Sequence, residues 1–223
     1  MKPHPAKQNI KIAVDNCIFT IINNELHILL IQMKKAPYQG MWALPGGMIK
    51  QNETLDKAAL RILKEETNIS ELYLEQLYSF GKTNRDPLGR VISVAYFALI
   101  PYVGLKIKTL PKYQSVQWWK FADIPKLAYD HNEIIKYAKK RLAWKIAYSN
   151  IVWSLLPEKF TINQLQKVYE AILEKKLDKR NFIKKILSLD LIAKIGQKTL
   201  LGAYRPAELY KFKTKKPIML DIL

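Results

Sequence analysis

GMIKQNETLDKAALRILKEETNI, residues 47–69, decides how the rest of this chain is read. Gly47 is followed after five residues by Glu53, then after seven more by Arg61, Ile62 and Leu63, and these by Glu65, Glu66, Asn68 and Ile69. Residues 55–67 are good helix formers, and on the helix they predict, Ile62, Glu65 and Glu66 stand three and four residues apart and share a face. Just upstream, Gly46 and Gly47 follow Trp42-Ala43-Leu44-Pro45. Such a pair supplies the unusual backbone angles and close approach that a phosphate-facing loop needs, although an ordinary strand-to-loop turn would use it too.

So many residues at fixed spacing resemble the Nudix box, with two departures: Ile62 where the box has Glu, and Asn68 where it has Gly. The resemblance implies a diphosphate-handling α/β fold, and in active members magnesium held on carboxylates of one helix face, where it neutralises two phosphoryl groups and activates water. It specifies a fold without guaranteeing activity. Glu65 and Glu66 are then the only catalytic candidates, and the only ligands for magnesium if hydrolysis is retained; otherwise no cofactor is required. Read functionally, Ile62 removes a metal ligand or general base, so catalysis is expected to be lost or much reduced. Read structurally, Ile62 joins Leu55, Ala59 and Leu63 on the core side. Asn68 is the milder departure, because Asn, like Gly, tolerates the left-handed conformation that ends a helix. The resemblance also makes Glu53 and Arg61 an internal ion pair tying loop to helix, a structural role.

At 223 residues, 49% of them hydrophobic, the chain is long enough to bury one large core or two modest ones, which excludes a disordered protein. Its 37 Lys and Arg against 19 Asp and Glu give a formal net charge of +18. That balance points to a polyanionic partner, with a merely lysine-rich composition as the bland alternative. The single cysteine, Cys17, excludes an intrachain disulfide and a Cys-rich zinc site, and fits a reducing, cytoplasmic compartment. The start, MKPHPAKQNIKIAVD, lacks the apolar core of a signal peptide, and the longest apolar-rich run, 91–103, is too short to cross a bilayer. No membrane partner is expected.

Outward from the box, β-branched runs at 10–22 and 26–32 flank Asn23-Asn24 and predict two strands joined by a tight turn. Further strand-like stretches lie at 74–80, 90–102 and 115–121. Together they suggest an α/β layer architecture, which the resemblance sharpens to a Nudix fold, a mixed sheet between helices, over residues 1–145. A helical pattern spans 131–156, with Ile134, Ile135, Ala138, Leu142, Ile146 and Ile151 in phase, and its last part, 146–156, is expected to link two domains before Pro157 breaks it.

Residues 157–223 read as a small α+β winged helix-turn-helix domain. Thr161-Ile162-Asn163-Gln164 has capping-box form, and Leu165, Val168, Tyr169, Ile172 and Leu173 follow at helical spacing. A second helix begins near Asp178, with Phe182, Ile183, Ile186 and Leu187 as its apolar face and cations elsewhere, the pattern of a recognition helix. Gly196 and Gly202 punctuate two short apolar segments ending in TLLGAYRPAELYKFK, which resembles a β-hairpin wing. Candidate DNA contacts are Lys179, Arg180, Asn181, Lys184, Lys185 and Arg205. Residues 151–223 hold 15 Lys and Arg against 7 Asp and Glu, but the first 150 hold 22 against 12, so basicity is not confined to the proposed reader.

A Nudix-like domain followed by FTINQLQKVYEAIL, DKRNFIKKIL and YRPAELYKF resembles the NrtR family of bacterial transcription regulators and their arabinose-responsive AraR relatives. The resemblance implies a homodimer binding palindromic double-stranded operator DNA. In the NrtR group the first domain senses ADP-ribose or a related NAD-derived nucleotide and the second represses genes of NAD metabolism; in the AraR group the effector is a sugar. The effector is expected at Gly46, Gly47, Glu65, Glu66 and Arg85. Arg85-Asp86-Pro87 either places a guanidinium on a phosphate or sugar or is a simple turn. His131 reads as a helix-start or interface residue rather than a catalyst. The competing class is a working magnesium-dependent Nudix pyrophosphohydrolase of the ADP-ribose type; Ile62 argues against it, and the Glu65-Glu66 pair keeps it open.

Overall fold

Alternation along the first strand sets the architecture. In the computed structural model, which describes residues 9–69, 72–102, 107–199, 206–220 and 222, strand β1 (Lys11–Ile22) is buried on both faces from residue 13 to residue 20. Asn23 and Asn24, with φ of 52° and 63°, form the tight turn that sets Ile22 opposite Glu25 at the start of β2 (Glu25–Met33). Then come β3 (Trp42–Ala43), β4 (Gly46–Met48), α1 (Leu55–Thr67), β5 (Tyr73–Phe80), β6 (Val91–Leu99), β7 (Tyr113–Lys120) and α2 (His131–Tyr148). The strands form one sheet in the order β3-β2-β1-β6-β5, with β4 also paired to β1 and β7 to β2. β1 and β6 are parallel and the other pairs antiparallel, so the sheet is mixed.

The period of two sends successive side chains to opposite faces. Val14 and, on β6, Val94 and Tyr96 meet Ala58, Ala59 and Ile62 of α1, while Ile18, Leu29 and Ala98 meet Leu63. On the other face Cys17, Phe19, Ala95 and Phe97 meet Ile134, Ile135, Ala138 and Leu142 of α2. The sheet therefore lies between α1 and α2. Thr54 caps α1 by accepting the Lys57 N–H, and Asn68 ends it in the left-handed region at φ 57°, its N–H donated to the Lys64 carbonyl at 2.8 Å.

The continuous helix expected over 131–156 is not present. α2 stops at Tyr148 and a separate 3-10 turn covers Ile151–Leu155. The cause lies far along the chain, where the Leu220 and Ile222 N–H groups donate to the carbonyls of Tyr148 and Ala147 at 2.7 and 2.9 Å. A longer helix would need those acceptors itself. Asn150 completes the clamp, donating from Nδ2 to the Lys216 carbonyl at 3.1 Å and accepting the Ile218 N–H on Oδ1 at 2.9 Å. Residues 216–220 and Ile222 thus pack against the end of α2.

Beyond the turn, α3 (Ile162–Leu173) opens with the Thr161–Gln164 capping box, α4 (Lys179–Ser188) is capped by Asp178, and β8 (Ile192–Thr199) pairs antiparallel with β9 (Ala207–Phe212). Phe160 and Tyr210 exchange backbone bonds of 3.0 and 2.8 Å, adding a bridge to the hairpin. Gly196, at φ 68°, sits where the register slips between Lys194 and Lys198, a bend that needs a residue free to enter the left-handed region. Arg205 lies outside the described residues. Phe160, Leu165, Val168, Tyr169 and Ile172 enter the same apolar core as Phe19, Leu26 and Ile28. Each such side chain contributes about 1.5–3 kcal/mol on burial, so the winged helix is fastened to the sheet by core packing as well as by the chain between them.

Candidate functional site

β1, β4 and the start of α2 meet around a cleft of about 190 Å3. Its floor is a buried polar cluster. Arg85, with a guanidinium 3% exposed, donates from Nε and Nη2 to the two Asp130 oxygens at 3.0 and 2.7 Å, and Nη2 also lies 3.4 Å from Asp15 Oδ2. Ser93 Oγ donates to the same Asp15 oxygen at 2.5 Å, and His131 Nε2 stands 3.5 Å from it. Burial alone would push the Asp15 carboxyl up, but His131, Ser93 and Arg85 together hold it below the usual carboxylate value. The Leu44 N–H donates to His131 Nδ1 at 2.9 Å, which fixes the ring proton on Nε2, facing Asp15. Asp130 stands at the N-cap of α2 without capping it, because its carboxylate is turned to Arg85.

Gly46 is there for closeness rather than for unusual angles. Neither it nor Gly47 lies in the left-handed region, but a Cβ on Gly46 would stand 2.1 Å from Asp15 Oδ1 and 2.9 Å from the Val14 carbonyl oxygen. Only glycine lets β4 lie against β1 at the Asp15–Gly46 pair. A Cβ on Gly47 would meet only Ile62 Cδ1, at 3.8 Å. At the other wall Tyr129 adopts φ 54°, strained for an aromatic residue, and its ring lies 4.5 Å from Tyr38 and 5.1 Å from His131.

Glu65 and Glu66 lie elsewhere, on a groove of about 810 Å3 along the end of α1 that Arg61, Lys64 and Lys108 also line. Tyr113 lines the cleft, and its neighbour Lys112 reaches Glu65 and Glu66 in the groove. Ile62 is 1% exposed and faces the sheet with Ala58 and Ala59, so the structural reading of that residue is the one observed; Leu63 packs in the neighbouring cluster. Arg61 binds Glu53 through Nε and Nη2 at 3.0 and 2.7 Å, the loop-to-helix tie, which holds the Glu53 carboxyl down at about 2. Lys112 Nζ lies 3.0 Å from Glu65 Oε2 and 3.6 Å from Glu66 Oε1.

Among the described residues no group of three or more His, Cys, Asp or Glu stands close enough to hold a metal ion. The donor set does not fit a divalent cation: two carboxylates are present, Glu66 is fully enclosed, and an ammonium already stands against both. Neither Glu66 oxygen finds a hydrogen bond of good geometry among the described residues, and burial holds its carboxyl above the usual value. A raised folded-state pKa adds stability below the unfolded value of about 4.5, and that stability is lost as pH rises through the folded value. Glu66→Gln is therefore expected to stabilise the protein at neutral pH by about 1 kcal/mol, raising Tm by a few degrees. The gain should vanish below about pH 4 in melts followed by circular dichroism; a variant that melts lower at pH 7 would contradict this.

In the winged helix, Phe182 and Ile186 are buried against Tyr169, whereas Lys179, Arg180, Asn181 and Lys184 are exposed and Lys185 half-buried. Leu187, expected on the apolar face, is exposed instead, because α4 turns it past the edge of its contact with α3. The turn between the helices is held by Glu170, whose Oε1 accepts the Leu177 N–H at 3.1 Å while Oε2 faces Lys167 at 2.8 Å. Sequence reasoning missed Asp15, Tyr129, Lys112 and Glu170 and set His131 aside. Only Asp15 carried a local signal, a charge inside a β-branched strand.

These parts define a Nudix domain, short of one acidic helix position, joined to a winged helix. The chain matches the NUDIX domain over residues 13–139 and the NrtR DNA-binding winged helix domain over residues 152–212. It is 36% identical over 203 residues to the ADPR responsive transcriptional repressor NtrR of Acinetobacter baylyi, covering 89% of this chain and 80% of that protein. It is also 35% identical over 133 residues to the ADP-ribose pyrophosphatase of Methanocaldococcus jannaschii, covering 60% of this chain and 72% of that one. Shewanella oneidensis NrtR, solved in complex with a 27mer DNA, superposes with a TM-score of 0.81 at 35% identity, over 91% of this chain and 93% of that one. The NUDIX domain of the same protein, solved with ADP ribose, gives 0.55 at 36% identity, over 63% and 94%. The chain belongs to the NUDIX domain family, in its group of NrtR-type regulators.

Proposed function

We propose that this chain is a transcriptional repressor that binds operator DNA through α4 and the β8–β9 wing and senses ADP-ribose, or a related NAD-derived nucleotide, in its Nudix domain. One observation carries the reading: a Nudix helix whose acidic face is interrupted by a core aliphatic residue shares its core with a winged helix that exposes Lys179, Arg180, Asn181 and Lys184. The relative named as an ADPR-responsive repressor and the two Shewanella complexes support it. A diphosphate suits the Arg61, Lys64 and Lys108 groove, and a nucleobase suits the Tyr38–Tyr129 pair. On this reading the nucleotide spans the two places, with Gly46, Gly47 and Arg85 on its cleft side and Glu65 and Glu66 on its groove side. Arg85 reaches a ligand only by loosening from Asp130 or Asp15.

The repressor works as a homodimer, one winged helix to each half of a two-fold operator. Switching requires the effector to bind the operator-competent and released states with different affinity. The test is binding of the full chain to its own upstream DNA, read by fluorescence anisotropy with and without ADP-ribose and L-arabinose, beside magnesium-dependent ADP-ribose hydrolysis. ADP-ribose is expected to change operator affinity at least tenfold. Rapid hydrolysis without sequence-preferring DNA binding would favour the second reading, a pyrophosphatase, which rests on the Methanocaldococcus likeness.

Exchanging Arg180 and Lys184 together for Ala is expected to weaken operator binding about 10- to 100-fold and to lower the salt dependence by about one or two counterions. ADP-ribose affinity should stay unchanged in a calorimetric titration. Unchanged DNA affinity would mean that α4 is not the reading helix.

A further inference from the structure

We infer that Lys112 is a built-in cation for the Glu65–Glu66 pair, taking the place of a divalent metal so that this groove works without one. The argument starts from charge. Two carboxylates on consecutive residues of α1, one of them fully enclosed, must be balanced by a nearby cation. The Lys112 ammonium does this from the turn before β7, 3.0 Å from Glu65 Oε2 and 3.6 Å from Glu66 Oε1. Its Nζ also lies 4.9 Å from the centre of the Tyr113 ring, which seats it from below. Arg61 reaches the other Glu65 oxygen at 3.4 Å while remaining bound to Glu53.

A magnesium or manganese ion needs oxygen ligands at about 2.0–2.1 Å in octahedral array. An ion that touched both Glu65 and Glu66 would press directly on the ammonium, and repulsion at that range opposes it. The third position that would draw such an ion in is held by Ile62, 1% exposed in the core. An ammonium tethered by its own chain brings one charge where a metal brings two. Arg61 is shared with Glu53, so Lys112 is the cation that faces both carboxylates, and Lys64 and Lys108 also line the groove, where an anion would meet them. The inference concerns the groove's own residues and stands whether or not the ligand is ADP-ribose.

The experiment titrates Mn2+ into the full-length protein and reads the free ion by electron paramagnetic resonance. The wild-type chain is expected to take up no Mn2+ that Glu65→Gln removes. Lys112→Met, checked as folded by circular dichroism, should bind Mn2+ at least tenfold more tightly than wild type, and adding Glu65→Gln to it should abolish the gain. Lys112→Arg, which keeps the cation, should behave as wild type. One Mn2+ per wild-type chain that is lost in Glu65→Gln would overturn the inference, as would a folded Lys112→Met with no gain. If Lys112→Met does not fold, the wild-type, Glu65→Gln and Lys112→Arg titrations still decide. A calorimetric ADP-ribose titration in EDTA separates the two readings: no ADP-ribose binding under any condition counts against the proposed effector, whereas binding that weakens tenfold or more in EDTA counts against Lys112.

Discussion

Ile62→Glu, the change that completes the acidic box, is expected to lower stability by roughly 3–5 kcal/mol and to confer no hydrolase. The side chain it replaces packs against Val14, Ala58, Ala59, Val94 and Tyr96. A Glu there loses about 1.5–3 kcal/mol of aliphatic burial and places a carboxylate in apolar surroundings. The neighbouring cation, Arg61, is already committed to Glu53. For a chain of this size the melting temperature should drop by about 6–20 °C at pH 7, with part of the loss recovered at pH 5 as the new carboxyl takes up a proton. Thermal melts at the two pH values, beside a magnesium-dependent ADP-ribose assay, check this. A variant that melts with wild type and hydrolyses ADP-ribose would mean that residue 62 faces the groove rather than the sheet.

Arg85→Ala should cost about as much, roughly 3–5 kcal/mol, because it leaves the enclosed Asp15 and Asp130 carboxylates without their cation. The pH dependence gives the assignment its signature. Asp15 is held below its usual value in the folded chain, so its contribution is present above the unfolded value of about 3.8 and fades as pH falls through the lowered folded one. Without Arg85 one of the influences pulling Asp15 down is gone, so the folded value moves up toward the unfolded one and acid should cost the variant less stability than it costs wild type. Melting curves between pH 3 and pH 7 should show the largest gap between the two proteins at neutral pH, closing toward pH 3. Arg85→Lys should fall between them, since it restores the charge but not the two-pronged fit to Asp130. Equal melting at pH 7 would refute the role of Arg85 as the anchor of the cleft floor.

Both experiments concern contacts of different legibility. The Nudix helix, the Asn23-Asn24 turn, the Thr161–Gln164 capping box and the Asp178 cap depend on residues within a few positions of each other, and a sequence displays such patterns directly. Ile62 was legible as a departure, while its destination against Val14 and Val94 depended on which face α1 turns to the sheet. Asp15 and Arg85 are 70 residues apart, Asp15 and Ser93 78, and Lys112 lies 47 beyond Glu65. Strand register brings these groups together, and no local pattern encodes it. The end of α2 differs from the expected one for the same reason, because residues 216–220 and Ile222 stop it, roughly seventy positions downstream.

That clamp has a further consequence. α2 has 18 residues, which at 3.6 per turn make about five full turns and a rod of about 27 Å. At one end His131 is keyed to Leu44 and Asp15; at the other the carbonyls of Ala147 and Tyr148 are keyed to the chain's final segment. A rod keyed at both ends behaves as a shaft, with its two fittings locked at one angle. Each residue added or removed would turn one fitting against the other by about 100°. The length of α2 is thus a timing mark between the cleft and the tail, set by counting residues as much as by packing them.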